Sequence, residues 1–121
     1  MISTREKGTT SEDFAVNYLV KNGYFIMERN WYFHHHELDI IAVKNNILVV
    51  IEVKSLQSTI FQEPFKAVNR TKQQMIISAA NAYIRKNNVN HEVRFDVISI
   101  VSTKNEPVIE HIENAFYPRV R

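Results

Sequence analysis

Leu48, Val49, Val50, Ile51 and Val53 form a near-continuous apolar run. A run this short and rich in β-branched residues reads as a strand buried on both faces. It therefore calls for packing layers on both sides of a sheet. Glu52 and Lys54 interrupt the run near its end. Charged side chains are almost never fully buried unless paired, so the end of this core strand needs a chemical reason.

The surrounding pattern supplies the layers. TTSEDFAVNYLVKNG reads as a first helix: Thr9 and Glu12 match a capping box, Phe14, Ala15, Tyr18 and Leu19 recur at helical spacing, and Gly23 is a C-terminal stop. YFIMERNWYF is an aromatic-rich strand, HELDIIAV a second, and Lys44, Asn45 and Asn46 a tight turn into ILVVIEVK, the third. SLQSTIFQE reads as a loop. Pro64 suits the first turn of a long helix running to about Lys86 and ended by KNNVN. VRFDVISIV is a fourth strand, STKNEP a turn, VIEHIE an optional edge strand, and NAFYPRVR an irregular tail. The order α-β-β-β-α-β predicts an α/β fold: a mixed central sheet flanked by helices, with a right-handed parallel crossover through the long helix.

At 121 residues the chain is expected to be one domain spanning 1–121. Its 45% hydrophobic and 23% charged residues give an ordinary globular balance. Cysteine is absent, which excludes disulfides and thiolate zinc sites. No apolar run approaches the ~20 residues of a membrane helix, and MISTREKG has no secretory h-region. A cytoplasmic location, away from membranes, is the expectation. The net charge of +2 does not by itself argue for nucleic acid. From Phe65 to Lys86, however, Lys66, Arg70, Lys72, Arg85 and Lys86 occur without a single acid. Charge alone reads this as a solvated helix face; the sharper reading is a phosphate-facing surface.

The chemistry gathers at the hairpin's far end. Side chains two apart on a strand share a face, so Glu52 and Lys54 point the same way, as do Glu37, Asp39 and Ile41. With a short turn, Asp39 lies beside Glu52 and Lys54, in a register that a one-residue slip would undo. Two adjacent carboxylates repel and need a counter-charge. Oxygen donors favour Mg2+ or Mn2+ over zinc. Such a cation can activate water and polarise a phosphoryl oxygen, with Lys54 placed to orient the water and offset charge on the phosphate. The plainer alternative is a surface ion pair at a fraying strand end.

ELDIIAV, VVIEVKS, the later Ala67, Val68 and Lys72, and RFDVISI together resemble the YraN-like family of bacterial proteins, from about Gly8 to Phe116. Their motif order is similar to the restriction-endonuclease-like, PD-(D/E)xK fold, with Holliday junction resolvases as analogues. The resemblance implies a metal-dependent DNA endonuclease, structure-selective or relatively nonspecific, and a homodimer. It implies Asp39 and Glu52 as metal ligands, the Val53 carbonyl facing the metal, Lys54 as the catalytic lysine and Glu12 as an additional acid. Ser11 and His36 stand where family members often carry glycine. Two other classes stay open: a nucleic-acid-binding module of the same fold without turnover, and a metal-free domain docking an acidic protein.

Other residues divide between roles. Val68, Lys72, Met75, Ile76 and Ala79 fall on one helical stripe. Lys72 therefore either snorkels to solvent or reaches an acid or phosphate, and the resemblance tilts it toward the site. Arg70, Gln73 and Lys66 join it as nucleic-acid contacts. His34, His35 and His36 point in alternating directions and read as a solvated loop rather than one chelate. Asp96 reads as structural, paired with Arg94.

Overall fold

A computed structural model describes residues 4–57 and 68–118, with side chains described from 11 to 56 and from 68 to 118. The elements are α1 (Thr4–Lys21), β1 (Phe25–Phe33), β2 (His36–Lys44), β3 (Ile47–Gln57), α2 (Arg70–Lys86), β4 (Glu92–Ser102) and β5 (Val108–Phe116). The strands lie side by side in the order β1-β2-β3-β4-β5. β1, β2 and β3 form an antiparallel meander, β3 and β4 pair in parallel, and β4 and β5 are antiparallel. This is the expected mixed α/β sheet, and its order is that of the restriction-endonuclease-like fold.

The apolar run in β3 is buried on both faces, as its composition demands. Val49 and Ile51 pack with Ala15 and Leu19 of α1. Leu48 and Val50 pack with Ile76, Ala79, Ala80 and Tyr83 of α2. Apolar burial at about 25 cal/mol per Å2 makes these two layers the main source of stability. Met75, expected on the buried stripe of α2, is instead 36% exposed, as is Phe14 on α1.

The helix stops are local chemistry. Gly23, at φ +88°, lies in the left-handed region. Its N–H donates to the Val20 carbonyl, and the Tyr24 N–H donates back to Leu19, which is a Schellman stop. Asn88, at φ +51°, does the same for α2, with Val89 donating to Ile84. Asn45 and Asn46 both have positive φ, the two-residue turn that matches the twist of a hairpin.

The structure moves several boundaries. α1 begins at Thr4, so Thr9 lies inside the helix and the expected capping box is not its start. α2 begins at Arg70, where the Asn69 carboxamide oxygen accepts the Lys72 N–H at 2.9 Å. Pro64 and Lys66 lie outside the described residues. β3 runs past Lys54 to Gln57 because β4 offers a parallel partner as far as Ser102. β5 runs into the expected irregular tail as far as Phe116, whose ring stacks on Phe95.

Candidate active site

β2 and β3 pair from Lys44↔Ile47 to Ile40↔Ile51, and the ladder ends there. Beyond that point Asp39 and Glu52 would face each other. Instead Asp39 Oδ2 accepts the Val53 N–H at 2.8 Å. A side chain replaces the ladder, and the strands part. The N–H and C=O of one strand residue point to the same side, so the Val53 carbonyl is turned toward the same gap.

The alternation of β2 also breaks here. Leu38 and Ile41 both join the α2-side core, whereas Ile40 joins the α1-side core. Strict alternation would have put Leu38 and Ile40 together. On β1, Asn30 at φ +51° sits between Arg29, paired with Ile40, and Trp31, paired with Leu38. Glu37 faces the Tyr32 hydroxyl and pushes it above its ordinary value. It lines a cavity of about 400 Å3 with His35, His36 and Lys72.

Asp39 and Glu52 do converge. Burial, and next the negative charge of Glu52, push the Asp39 carboxyl up to about 8; the Val53 N–H opposes this, and the Glu52 carboxyl lies within hydrogen-bonding reach. Glu52 is 5% exposed. Its Oε2 meets Lys54 Nζ at 3.5 Å and Lys72 Nζ at 3.7 Å. A buried carboxylate held by two ammonium groups satisfies the pairing that burial requires. Lys72 thus reaches an acid of the site, from a helix joined to β3 only through the long crossover.

Glu12 is held from β1. Its Oε1 accepts a hydrogen bond from Asn30 Nδ2 at 2.8 Å, and its charge adds to the pressure on Asp39. Ser11 meets Ser55 at 2.6 Å between hydroxyl oxygens, which ties this part of α1 to β3. Asn30 is the residue that the sequence reading missed. Its signal was an asparagine in the middle of an aromatic strand, a residue tolerant of positive φ. Gln73 donates from Nε2 to the Val68 carbonyl at 3.0 Å. Arg70 and Gln73 both lie away from Glu52, along a different cavity from Lys72.

The donor set fits a hard divalent cation. Two carboxylates and a backbone carbonyl are all oxygen, and a dication would relieve both the repulsion and the retained proton. Among the described residues no three His, Asp or Glu side chains gather as a ready-made ligand cluster. Asp39, Glu52 and the Val53 carbonyl would be a small share of a coordination sphere, which Mg2+ accepts when it keeps waters and substrate oxygens.

Asp96 stands apart from this site. It is fully buried and accepts from Arg94 Nε and Nη2 at 2.9 Å and from the Asn114 N–H at 2.9 Å, with His111 Nε2 at 2.7 Å. Burial pushes its carboxyl up, but the His111, Arg94 and Asn114 hydrogen bonds outweigh it and hold it below the usual range. The Tyr18 hydroxyl closes the network on His111 Nδ1 at 2.9 Å. It clamps α1 to β4 and β5, in accord with the structural role expected for Asp96.

The mixed sheet, the helices on both faces and the acid–acid–lysine group where β2 and β3 part define a domain of the restriction-endonuclease-like fold. The chain belongs to the uncharacterised protein family UPF0102, whose family model matches residues 11–100. UPF0102 proteins of Parabacteroides distasonis and Phocaeicola vulgatus are 41% and 45% identical to it, over 100% and 99% of both chains respectively. One from Flavobacterium psychrophilum is 43% identical over 97% of this chain and 98% of its own. No helix among the described residues is long and apolar enough to cross a membrane.

Proposed function

We propose that the protein is a Mg2+- or Mn2+-dependent endonuclease that hydrolyses phosphodiester bonds in branched DNA. The observation that supports this reading is the convergence of Asp39 and Glu52 at the parted strand ends, with two lysines on the same carboxylate. The cation, when bound, supplies Lewis-acid polarisation of the phosphate and lowers the pKa of water. Asp39, Glu52 and the Val53 carbonyl would hold it. Lys54 orients the attacking water and offsets the charge that builds on the phosphate. Lys72 neutralises Glu52 and holds a phosphate oxygen at the mouth of the site.

A specific observation favours one rival, a binding module of the same fold without turnover. The two ammonium groups already neutralise Glu52, so the site has less need of a cation. Purified protein incubated with branched, flapped and single-stranded DNA and either metal separates the two. Metal-dependent cleavage that disappears in Asp39→Asn supports the endonuclease; binding without cleavage by the wild type supports the module.

A further inference from the structure

α2 carries Arg70, Lys72, Arg85 and Lys86 and no acid. Lys72 turns toward Glu52. Arg70 and Arg85 lie with Gln74 and Asn81 on the opposite, outward side of the helix, spaced three or four residues apart along one stripe through Ile77. This stripe lines a cavity of about 450 Å3, and the Phe33 ring and Tyr117 contribute to its walls. No described lining residue is acidic. Tyr117 is 68% exposed, a large ring left in water on the wall of the cavity that Arg70 and Arg85 also line.

The chemistry of this face is specific. Guanidinium forks bind phosphate oxygens in pairs. Aromatic rings stack on bases, each worth about 1–3 kcal/mol by alanine substitution. Carboxamides bond the edges of unpaired bases. Arg70 and Arg85 are fifteen residues apart, about 22 Å along a helix axis, or about six nucleotides at the ~3.4 Å stacked spacing. The cavity falls within the size range of small-ligand sites and has room for a base. A duplex turns its bases inward and would leave the ring and the carboxamides unused.

We infer that this groove takes a single-stranded nucleic-acid segment, with phosphates on Arg70 and Arg85 and an unpaired base in the cavity. Arg70 and Lys72 share the first turn of α2 but point to opposite sides of it, so the groove is separate from the Asp39–Glu52 gap. The inference rests on the endonuclease reading for its purpose, since it names the part of a branched substrate that the enzyme grips. Its test needs no turnover.

Labelled single strands of about ten nucleotides, in DNA and RNA arms, and the matching duplex are titrated by fluorescence anisotropy with EDTA present, across a salt series. The wild type should bind one single strand about tenfold or more tightly than duplex, and the stronger arm names the sugar. Arg70→Gln with Arg85→Gln should flatten the salt slope by about 1.4, at about 0.7 per phosphate contact. Tyr117→Ala should weaken single-strand binding about tenfold and leave the slope unchanged. All three side chains are exposed, so the variants should fold, which circular dichroism checks. No binding, equal or tighter binding of duplex, or an unchanged slope in the double variant would overturn the groove. Intact binding in a protein that never cleaves removes the endonuclease reading and leaves the groove standing; cleavage with an unchanged slope does the reverse.

Discussion

Asp39 Oδ2 accepts the Val53 N–H at 2.8 Å, in the place where a backbone carbonyl would have continued the β2–β3 ladder. The bond fixes an acid and a peptide unit of the neighbouring strand at once. It also turns the end of a hairpin into a gap with oxygen on its walls. The proton held on Asp39 makes the gap sensitive to pH.

Manganese should bind with an affinity that rises with pH, because the cation displaces the proton on Asp39. The rise should approach tenfold per pH unit and level off above about 8, where burial and Glu52 have pushed this carboxyl. Calorimetry at several pH values reads this directly. Asp39→Asn should lose the binding, and equal affinity in that variant rejects the ligand assignment.

Metal-free protein should lose stability as pH rises. The folded chain keeps a proton up to about 8 that the unfolded chain releases near 3.8, the ordinary value. The stabilisation is complete below that lower value and lost as pH passes through the folded one. The melting temperature should fall by about 5 °C or more between pH 5 and 8.5. Asn at position 39 carries the hydrogen bonds of the protonated acid but does not titrate, so Asp39→Asn should flatten the dependence. A wild-type slope in the variant places the retained proton elsewhere.

Lys54→Ala should spare DNA binding and cut cleavage by ~10²-fold or more, the usual scale of a positioned proton-transfer group. The Lys72 ammonium still faces Glu52 at 3.7 Å, so the acid keeps a partner. Single-turnover assays on protein checked for native melting decide the matter. Equal cleavage by the variant assigns the water to another group.

Asp96→Ala should cost about 3–5 kcal/mol in chemical denaturation, because it removes the fully buried carboxylate on which Arg94, His111 and the Asn114 N–H converge and leaves Arg94 only Glu113 and the Tyr24 hydroxyl. Cleavage per folded molecule should not change, as the network lies outside the gap. A cost below about 1 kcal/mol contradicts the clamp.

The strands were legible because apolar runs and turn residues agree on them. Asp39 could be placed beside Glu52 because the Asn45–Asn46 turn permits one natural register. Boundaries set by partners were not legible. Ser55 and Gln57 look like loop residues, yet β4 supplies their backbone bonds. The Thr9–Glu12 pattern suits a helix start, but the turn before it is helical too. The meeting of Lys72 with Glu52, and of Asp96 with His111 and Tyr18, depends on how the crossover and the outer strand close in space. Nothing in local spacing encodes those closures.

The hairpin turn also sets an order of assembly. β2 and β3 adjoin in sequence and can zip from Asn45–Asn46 outward within microseconds. The parallel pairing of β3 with β4 must await the whole of α2 and closes a long loop, which is slow. On a growing chain, Asp39, Glu52 and Lys54 therefore leave the ribosome and meet first, and Lys72 reaches Glu52 only when α2 docks. Until then the acidic pair has one ammonium where the finished protein has two, so the last counter-charge of the gap arrives with the closing of the sheet.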